Sequence, residues 1–408
     1  MRALCRGLDW QRCGVCPRSV GEFGGEVGRV ILCEDGPEGR PALFVGASAH
    51  VFAWEEAEVA GALAEVEAAR QAGKWIAGYM SYEAGFALEV KLAGLGAARG
   101  AVPLLAFGIY DGPAEAGGVL AEAAVLAGAV RVAPVVPAID FARYSVAFDV
   151  VKAYIAAGDC YQINLTFPLE SALRAGSALG LYGALRARQA VGHGAYVAFD
   201  QGPVVVSRSP ELFVRLEAGG KIEARPMKGT APRDADPVED ALLAEGLRAS
   251  AKDRAENLMI VDLLRNDIAR ISRVGSVKVP ELFAVESYVT VHQMVSRVVG
   301  QLEAPASLPG LMAALFPCGS ITGAPKIRAM EIIHEVESGP RGIYCGAIGW
   351  MGPDGRAAFN VAIRTLSVWP DGRIALNVGG GVVQDSTAAG EWEEALWKAA
   401  YMQGLARS

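Results

Sequence analysis

Apolar residues along this chain follow two periods, which divide it into strands and helices. Short runs such as Arg29-Val30-Ile31-Leu32-Cys33 and Ala42-Leu43-Phe44-Val45, parted by turn residues, predict core strands. Gly78 to Gly85 and Pro103 to Gly108 predict more strands and turns of this kind. Between them, Glu55 to Arg70 places Val59, Leu63 and Val66 at helical spacing in an alanine- and glutamate-rich stretch. Ser145 to Ala157 predicts another helix, with Phe148, Val151, Tyr154 and Ile155 on one side and Gly158 as its stop. Asp159 to Thr166 reads as a strand, and Val204 to Leu216 as strand-like runs around the polar break Arg208-Ser209-Pro210-Glu211. Ala255 to Ile271 predicts a helix with the stripe Leu258, Val261, Leu264 and Ile268. Pro325 predicts the first helical position of another. A last helix is expected from about Ala388 to Gln403, capped by Ser386 or Thr387. Residues 1–125 therefore read as a β-rich first part and residues 141–404 as a second, with 112–140 crossing between them. No internal repeat is visible.

Composition narrows the class. A chain of 408 residues, 52% hydrophobic and 20% charged, matches a soluble globular protein with a large core. A net charge of −7 leaves no basic surplus to neutralise phosphates, so neither nucleic acid nor an anionic membrane is an expected partner. No charge-free run of eighteen apolar residues occurs, and the first residues lack the apolar core of a signal peptide, so a cytoplasmic location is expected. Seven scattered cysteines suit reduced thiols. Cys13-x-x-Cys16 fits no two-pair zinc spacing.

The candidate chemistry centres on Arg225-Pro226-Met227-Lys228-Gly229-Thr230, which follows the alternating run Lys221 to Arg225. Proline ends ladder pairing and glycine allows close backbone approach, so Lys228 is expected to leave the sheet at a defined point. Such a lysine is either a turn residue or, with its pKa lowered by burial or a cationic neighbour, a nucleophile. On the last helix Glu391, Glu394 and Lys398 share a face. They form either a solvated charged face or, joined by a third carboxylate such as Glu256, a hard-oxygen site for Mg²⁺. Gly379-Gly380-Gly381 and Gly319-Ser320-Ile321-Thr322-Gly323 are tight turns or anion cradles, the second reinforced by a helix N-terminus. Arg364 is one charge inside a strand pattern, solvated or facing a carboxylate. His292, flanked by apolar residues, is a core residue or a ligand. No G-x-S-x-G elbow is present.

These stretches together resemble the chorismate-utilising enzymes, the family of anthranilate, isochorismate and salicylate synthases. The resemblance runs through Ser209 to Phe213, Lys252 to Met259, Gly319 to Met330, Tyr344 to Gly349 and the glycine-rich stretch before Glu391. It implies an α+β fold of two large antiparallel β-sheets packed as a sandwich with helices outside. It implies that Glu256, Glu391 and Glu394 bind Mg²⁺ and that Glu211 is the general acid at the C4 hydroxyl of chorismate. Tyr344 and Arg364 match the clamp on the enolpyruvyl carboxylate. Gly380, Gly381 and Lys398 match ring-carboxylate contacts, and Thr322, Gly323 and His292 the pocket wall. Gln162 stands where the water-using members have a basic lysine, which implies an ammonia user. Lys228 stands where the members that form 4-amino-4-deoxychorismate have a lysine that adds to chorismate C2. The resemblance thus implies amination at C4 for p-aminobenzoate and folate synthesis, with anthranilate synthase component I as the alternative. It also implies a separate glutamine amidotransferase that supplies ammonia. Cys318 departs from a commonly small residue, and no serine-containing tryptophan-binding pattern is found around Glu22 to Leu32.

Overall fold

The computed structural model describes residues 29–96, 100–288, 291–403 and 405. The Cys13-x-x-Cys16 pair and most of the stretch from Glu22 to Leu32 lie outside them. Among the described residues the backbone forms two large antiparallel sheets, of eleven and ten strands. The first runs from Gly323–Ala324 through Gln162–Ala175, Arg373–Val382, Thr365–Val368, Val204–Ser207 and Ala195–Ala198 to Val30–Cys33, Ala42–Phe44 and Ala114–Glu115. The second runs from Met227–Pro232 through Val291–Gln301, Lys221–Ala224, Leu212–Leu216, Ala357–Val361 and Ala347–Met351 to Trp75–Met80, Leu105–Tyr110 and Ala49–Ala53. Strands from residues 30–115 and from residues 162–382 therefore complete the same two sheets.

Alternation along the strands explains how the layers pack. In Val30–Cys33, Ile31 and Cys33 join one core cluster, and Val30 and Leu32 another. Trp75–Met80, in the other sheet, splits the same way, with Ala77 and Tyr79 in the first cluster and Ile76 and Met80 in the second. The first cluster is the seam between the sheets; the second fills the space under the helices. Because both faces are covered, these strands read as continuous apolar runs rather than alternating ones. Each buried aliphatic or aromatic side chain contributes roughly 1.5–3 kcal/mol by leaving water.

The helices form where the spacing predicts them, with shifted ends. Glu56–Gln71 starts with a capping box between Glu55 and Glu58 and buries Val59, Leu63 and Val66. Phe141–Ala157 starts four residues earlier than predicted because the Asp140 side chain accepts the N–H of Arg143, and it stops at Gly158 with φ +83°. Ala251–Ala269 also starts early, capped by Ser250; Val261, Leu264 and Ile268 are buried, but Leu258 is about half exposed. Pro325 is the N-cap of Lys326–Val336 rather than its first residue. Thr387, not Ser386, caps Ala388–Lys398. The crossing segment carries its own helix, Gly117–Leu126, packed against Ala178–Arg188. No helix among the described residues is long and apolar enough to cross a membrane.

Candidate functional site

One cavity of about 610 Å³ gathers most of the residues singled out above. Lys228, Glu211, Tyr344, Arg364, Gly380 and Gly381 line it, as do Lys398, Glu256, Glu391 and Glu394. They come from both sheets and two helices: Ala251–Ala269 brings Glu256, and Ala388–Lys398 brings Glu391, Glu394 and Lys398. That volume suits a small-molecule ligand.

Lys228 leaves the ladder only as a bulge within its strand. The strand resumes as Met227–Pro232 and pairs with Val291–Gln301, with a register shift between Met227 and Thr230. Burial lowers the pKa of its amine. Glu256 pulls the other way, and the Lys398 cation adds to the lowering. Glu211 is 4% exposed, and burial pushes its carboxyl up to about 7. The Ser320 hydroxyl, which donates to Glu211 Oε1 at 2.7 Å, the Lys228 charge and the Met227 N–H all oppose that rise. The cavity thus holds an amine whose pKa is lowered together with a carboxyl pushed up to about 7.

Arg364 lies in the break between Ala357–Val361 and Thr365–Val368, with φ +51°, not inside a strand. Burial lowers its pKa, and no carboxylate pairs with it among the described residues. A half-buried cation without a counter-ion facing a cavity fits an anionic ligand. Tyr344, 8% exposed, lines the same wall. The three glycines sit within Arg373–Val382 rather than after it. A Cβ on Gly380 would stand 2.7 Å from Glu391 Oε2, and one on Gly381 2.6 Å from Gln162 Nε2. A side chain at either position would press on these groups at the cavity.

Among the described residues no group of three or more His, Cys, Asp or Glu side chains is drawn together as a metal cluster. The three glutamates nevertheless line one cavity, and as carboxylates they fit a hard divalent cation in kind. Burial raises the pKa of Glu256 and of Glu391, against the opposing pull of Lys228 on the first and Ser386 on the second. Glu391 accepts from Ser386 at 2.7 Å. Burial would raise Glu394 too, but Lys398 at 2.9 Å holds it below its ordinary value.

Four predicted residues stand behind the lining. Thr322 is buried and donates its hydroxyl to the Cys318 and Gly319 carbonyls, while Gly323 pairs with Ile163. The helix begins at Lys326, with Ala324 and Pro325 between it and this turn, and the Ser320 hydroxyl serves Glu211. His292 is 2% exposed and bonded to Asp240 and Ser287; its neighbour Gln293 lines the cavity. Gln162 is fully buried beside Gly381, and neither of its amide atoms has a hydrogen-bond partner among the described residues. Sequence reading missed the roles of Ser320 and Gln293. Strand alternation marks Gln293 only after the cavity-facing side is known. Trp397, on the same helix as Glu391 and Glu394, is 59% exposed at the cavity.

A family model described as chorismate binding enzyme matches residues 30–404. The chain belongs to the chorismate-binding enzymes. Within that family it is 46% identical over 256 residues to aminodeoxychorismate synthase component 1 of Klebsiella aerogenes, covering 63% of this chain and 56% of that protein. It is 47% identical over 254 residues to aminodeoxychorismate synthase of Streptomyces griseus, covering 62% of this chain and 34% of that one. Anthranilate synthase component 1 of Streptomyces coelicolor is 42% identical over 251 residues, 62% of this chain and 48% of its own. The matched stretch thus spans between about a third and just over half of these curated relatives. Among solved structures, anthranilate synthase component I from Streptococcus pneumoniae superposes with a TM-score of 0.74 at 23% identity, covering 97% of this chain and 95% of that one. That likeness is one of fold.

Proposed function

We propose that this chain aminates chorismate at C4 with ammonia, giving 4-amino-4-deoxychorismate for p-aminobenzoate and folate synthesis. The observation that carries the reading is Lys228 and Glu211 facing one cavity, one with a lowered pKa and the other raised to about 7. The names of the curated relatives support the same substrate and reaction.

In this account Arg364 and Tyr344 hold the enolpyruvyl carboxylate, and Lys398 with the backbone at Gly380 and Gly381 holds the ring carboxylate. The neutral Lys228 amine attacks C2, and the ring double bonds shift. The C4 hydroxyl leaves as water with the proton of Glu211, a step worth roughly 10²- to 10⁴-fold. Ammonia then attacks C4, the double bonds shift back, Lys228 departs as the neutral amine, and the proton shed at the new C4 amine restores Glu211. Gln162, buried and unpartnered beside Gly381, stands behind the lining on this side of the cavity. Glu256, Glu391 and Glu394 would hold Mg²⁺, which when bound neutralises the ring carboxylate and draws electrons from the ring.

A relative named anthranilate synthase component 1 marks the second reading. It leaves Lys228 without a task. Incubating the protein with chorismate, Mg²⁺ and an ammonium salt separates the two: the account predicts aminodeoxychorismate by mass and no fluorescent anthranilate. Anthranilate as the product would overturn it.

A further inference from the structure

The bulge that presents Lys228 is held by a side chain instead of by the sheet. Met227 pairs with Val295 and Thr230 with Gln293, so Lys228 and Gly229 together face the single residue Met294. Two residues opposite one interrupt the ladder and re-aim the strand. The carbonyl of Gly229 accepts instead from Nε2 of Gln293 at 2.8 Å, and the Thr230 hydroxyl donates to Oε1 of the same amide at 3.1 Å. Gln293 thus uses both ends of its amide on the two residues that follow Lys228. On the opposite side, a Cβ on Gly229, whose φ is +85°, would stand 2.8 Å from Asp253 Oδ1. The bulge is therefore wedged between the helix Ala251–Ala269 and the Gln293 amide.

We propose that Gln293 is a positioning residue for Lys228: its amide replaces the missing ladder bonds, fixes the bulge and so aims the lysine amine at the substrate. The inference rests on the reading of Lys228 as nucleophile. Alternation assigns the task to Gln293 and withholds it from His292, whose ring is occupied by Asp240 and Ser287. The amide is the suitable group because it both donates and accepts in one plane. Methionine has nearly the same length and neither capacity.

The test compares wild type, Gln293→Met and Thr230→Val in single-turnover reactions with chorismate, reading adduct formation by intact-protein mass and chorismate affinity by equilibrium titration. Gln293→Met should slow adduct formation about 10²-fold, the effect of misplacing a reacting group by about an ångström. Its chorismate affinity should stay within about threefold, since ground-state binding is not what is lost. Thr230→Val cuts only one of the two bonds at an exposed residue, so it keeps the fold and should show a smaller loss of the same kind. An unchanged adduct rate in Gln293→Met, or affinity falling in step with the rate, would overturn the positioning role while leaving Lys228 as nucleophile. No adduct in wild type would remove the nucleophile and this inference together.

Discussion

The hydroxyl of Ser320 donates to Glu211 Oε1 at 2.7 Å, across 109 residues of sequence, and partly offsets what burial does to that carboxyl. Burial raises Glu211 to about 7, while the bond favours its charged form. A general acid must carry its proton and the attacking amine must have lost its own, so adduct formation should be bell-shaped in pH, the limb set by Glu211 falling through about 7. Removing the bond in Ser320→Ala disfavours the carboxylate further, so the falling limb should move to higher pH. Single-turnover adduct formation across pH 5 to 9 reads this without the confounding titration of ammonia. A limb that stays in place in Ser320→Ala would show that the contact does not tune the acid.

Arg341 and Glu337 form an ion pair at 2.6 Å with side chains 1% and 6% exposed. Arg341 also donates to the carbonyls of Ile321 and Asn164, and both of those residues line the cavity. Arg341→Met leaves the Glu337 charge short of its partner and should destabilise by about 3–5 kcal/mol in urea unfolding. Adding Glu337→Gln should recover part of that loss, since the stranded charge is removed. No recovery in the double variant would place the cost in lost packing instead.

Much of this arrangement is legible in the sequence, because patterning and motifs are local. The stripe Val261, Leu264 and Ile268, the stop at Gly158 and the run Val30 to Cys33 each depend on neighbours within one element. Features created by pairing were not legible. The bulge at Lys228 and Gly229 exists only as a count of two residues against one on Val291–Gln301. On the strand Val291–Gln301 His292 is buried and Gln293 only partly so, and residue order alone does not tell which of its two sides meets the cavity. Ser320 reads as part of a glycine turn until Glu211 is brought to it. Leu258 fits the helical stripe yet is about half exposed, since the stripe marks the covered side of Ala251–Ala269 only approximately.

Glu256, Glu391 and Glu394 face one cavity, and burial leaves the first two with raised pKa values. A bound Mg²⁺ should relieve that charge. Titration calorimetry should show Mg²⁺ binding that weakens strongly in Glu391→Gln and in Glu394→Ala, and EDTA should stop turnover until Mg²⁺ is restored. Equal Mg²⁺ affinity in wild type and Glu394→Ala would remove that residue from the set.

The cysteines among the described residues, Cys33, Cys160, Cys318 and Cys345, are all buried, and burial raises the thiol pKa of each. Such thiols make poor nucleophiles for glutamine hydrolysis. The chain alone should use ammonium salts, better at higher total free NH₃, and should not use glutamine. Adding a glutamine amidotransferase subunit should confer glutamine-driven turnover. The product should remain aminodeoxychorismate unless a lyase is supplied. Glutamine use by the purified chain alone would contradict this division of labour.

The central claim is that Lys228 becomes covalently attached to the substrate, and intact-protein mass spectrometry tests it most directly. Mixed with chorismate and Mg²⁺ in the absence of ammonia, the protein should gain the mass of chorismate less one water. Peptide mapping should place that mass on Lys228, ammonium should discharge it, and Lys228→Ala should not acquire it. A wild-type protein that turns chorismate over with ammonium yet never gains this mass would contradict the account.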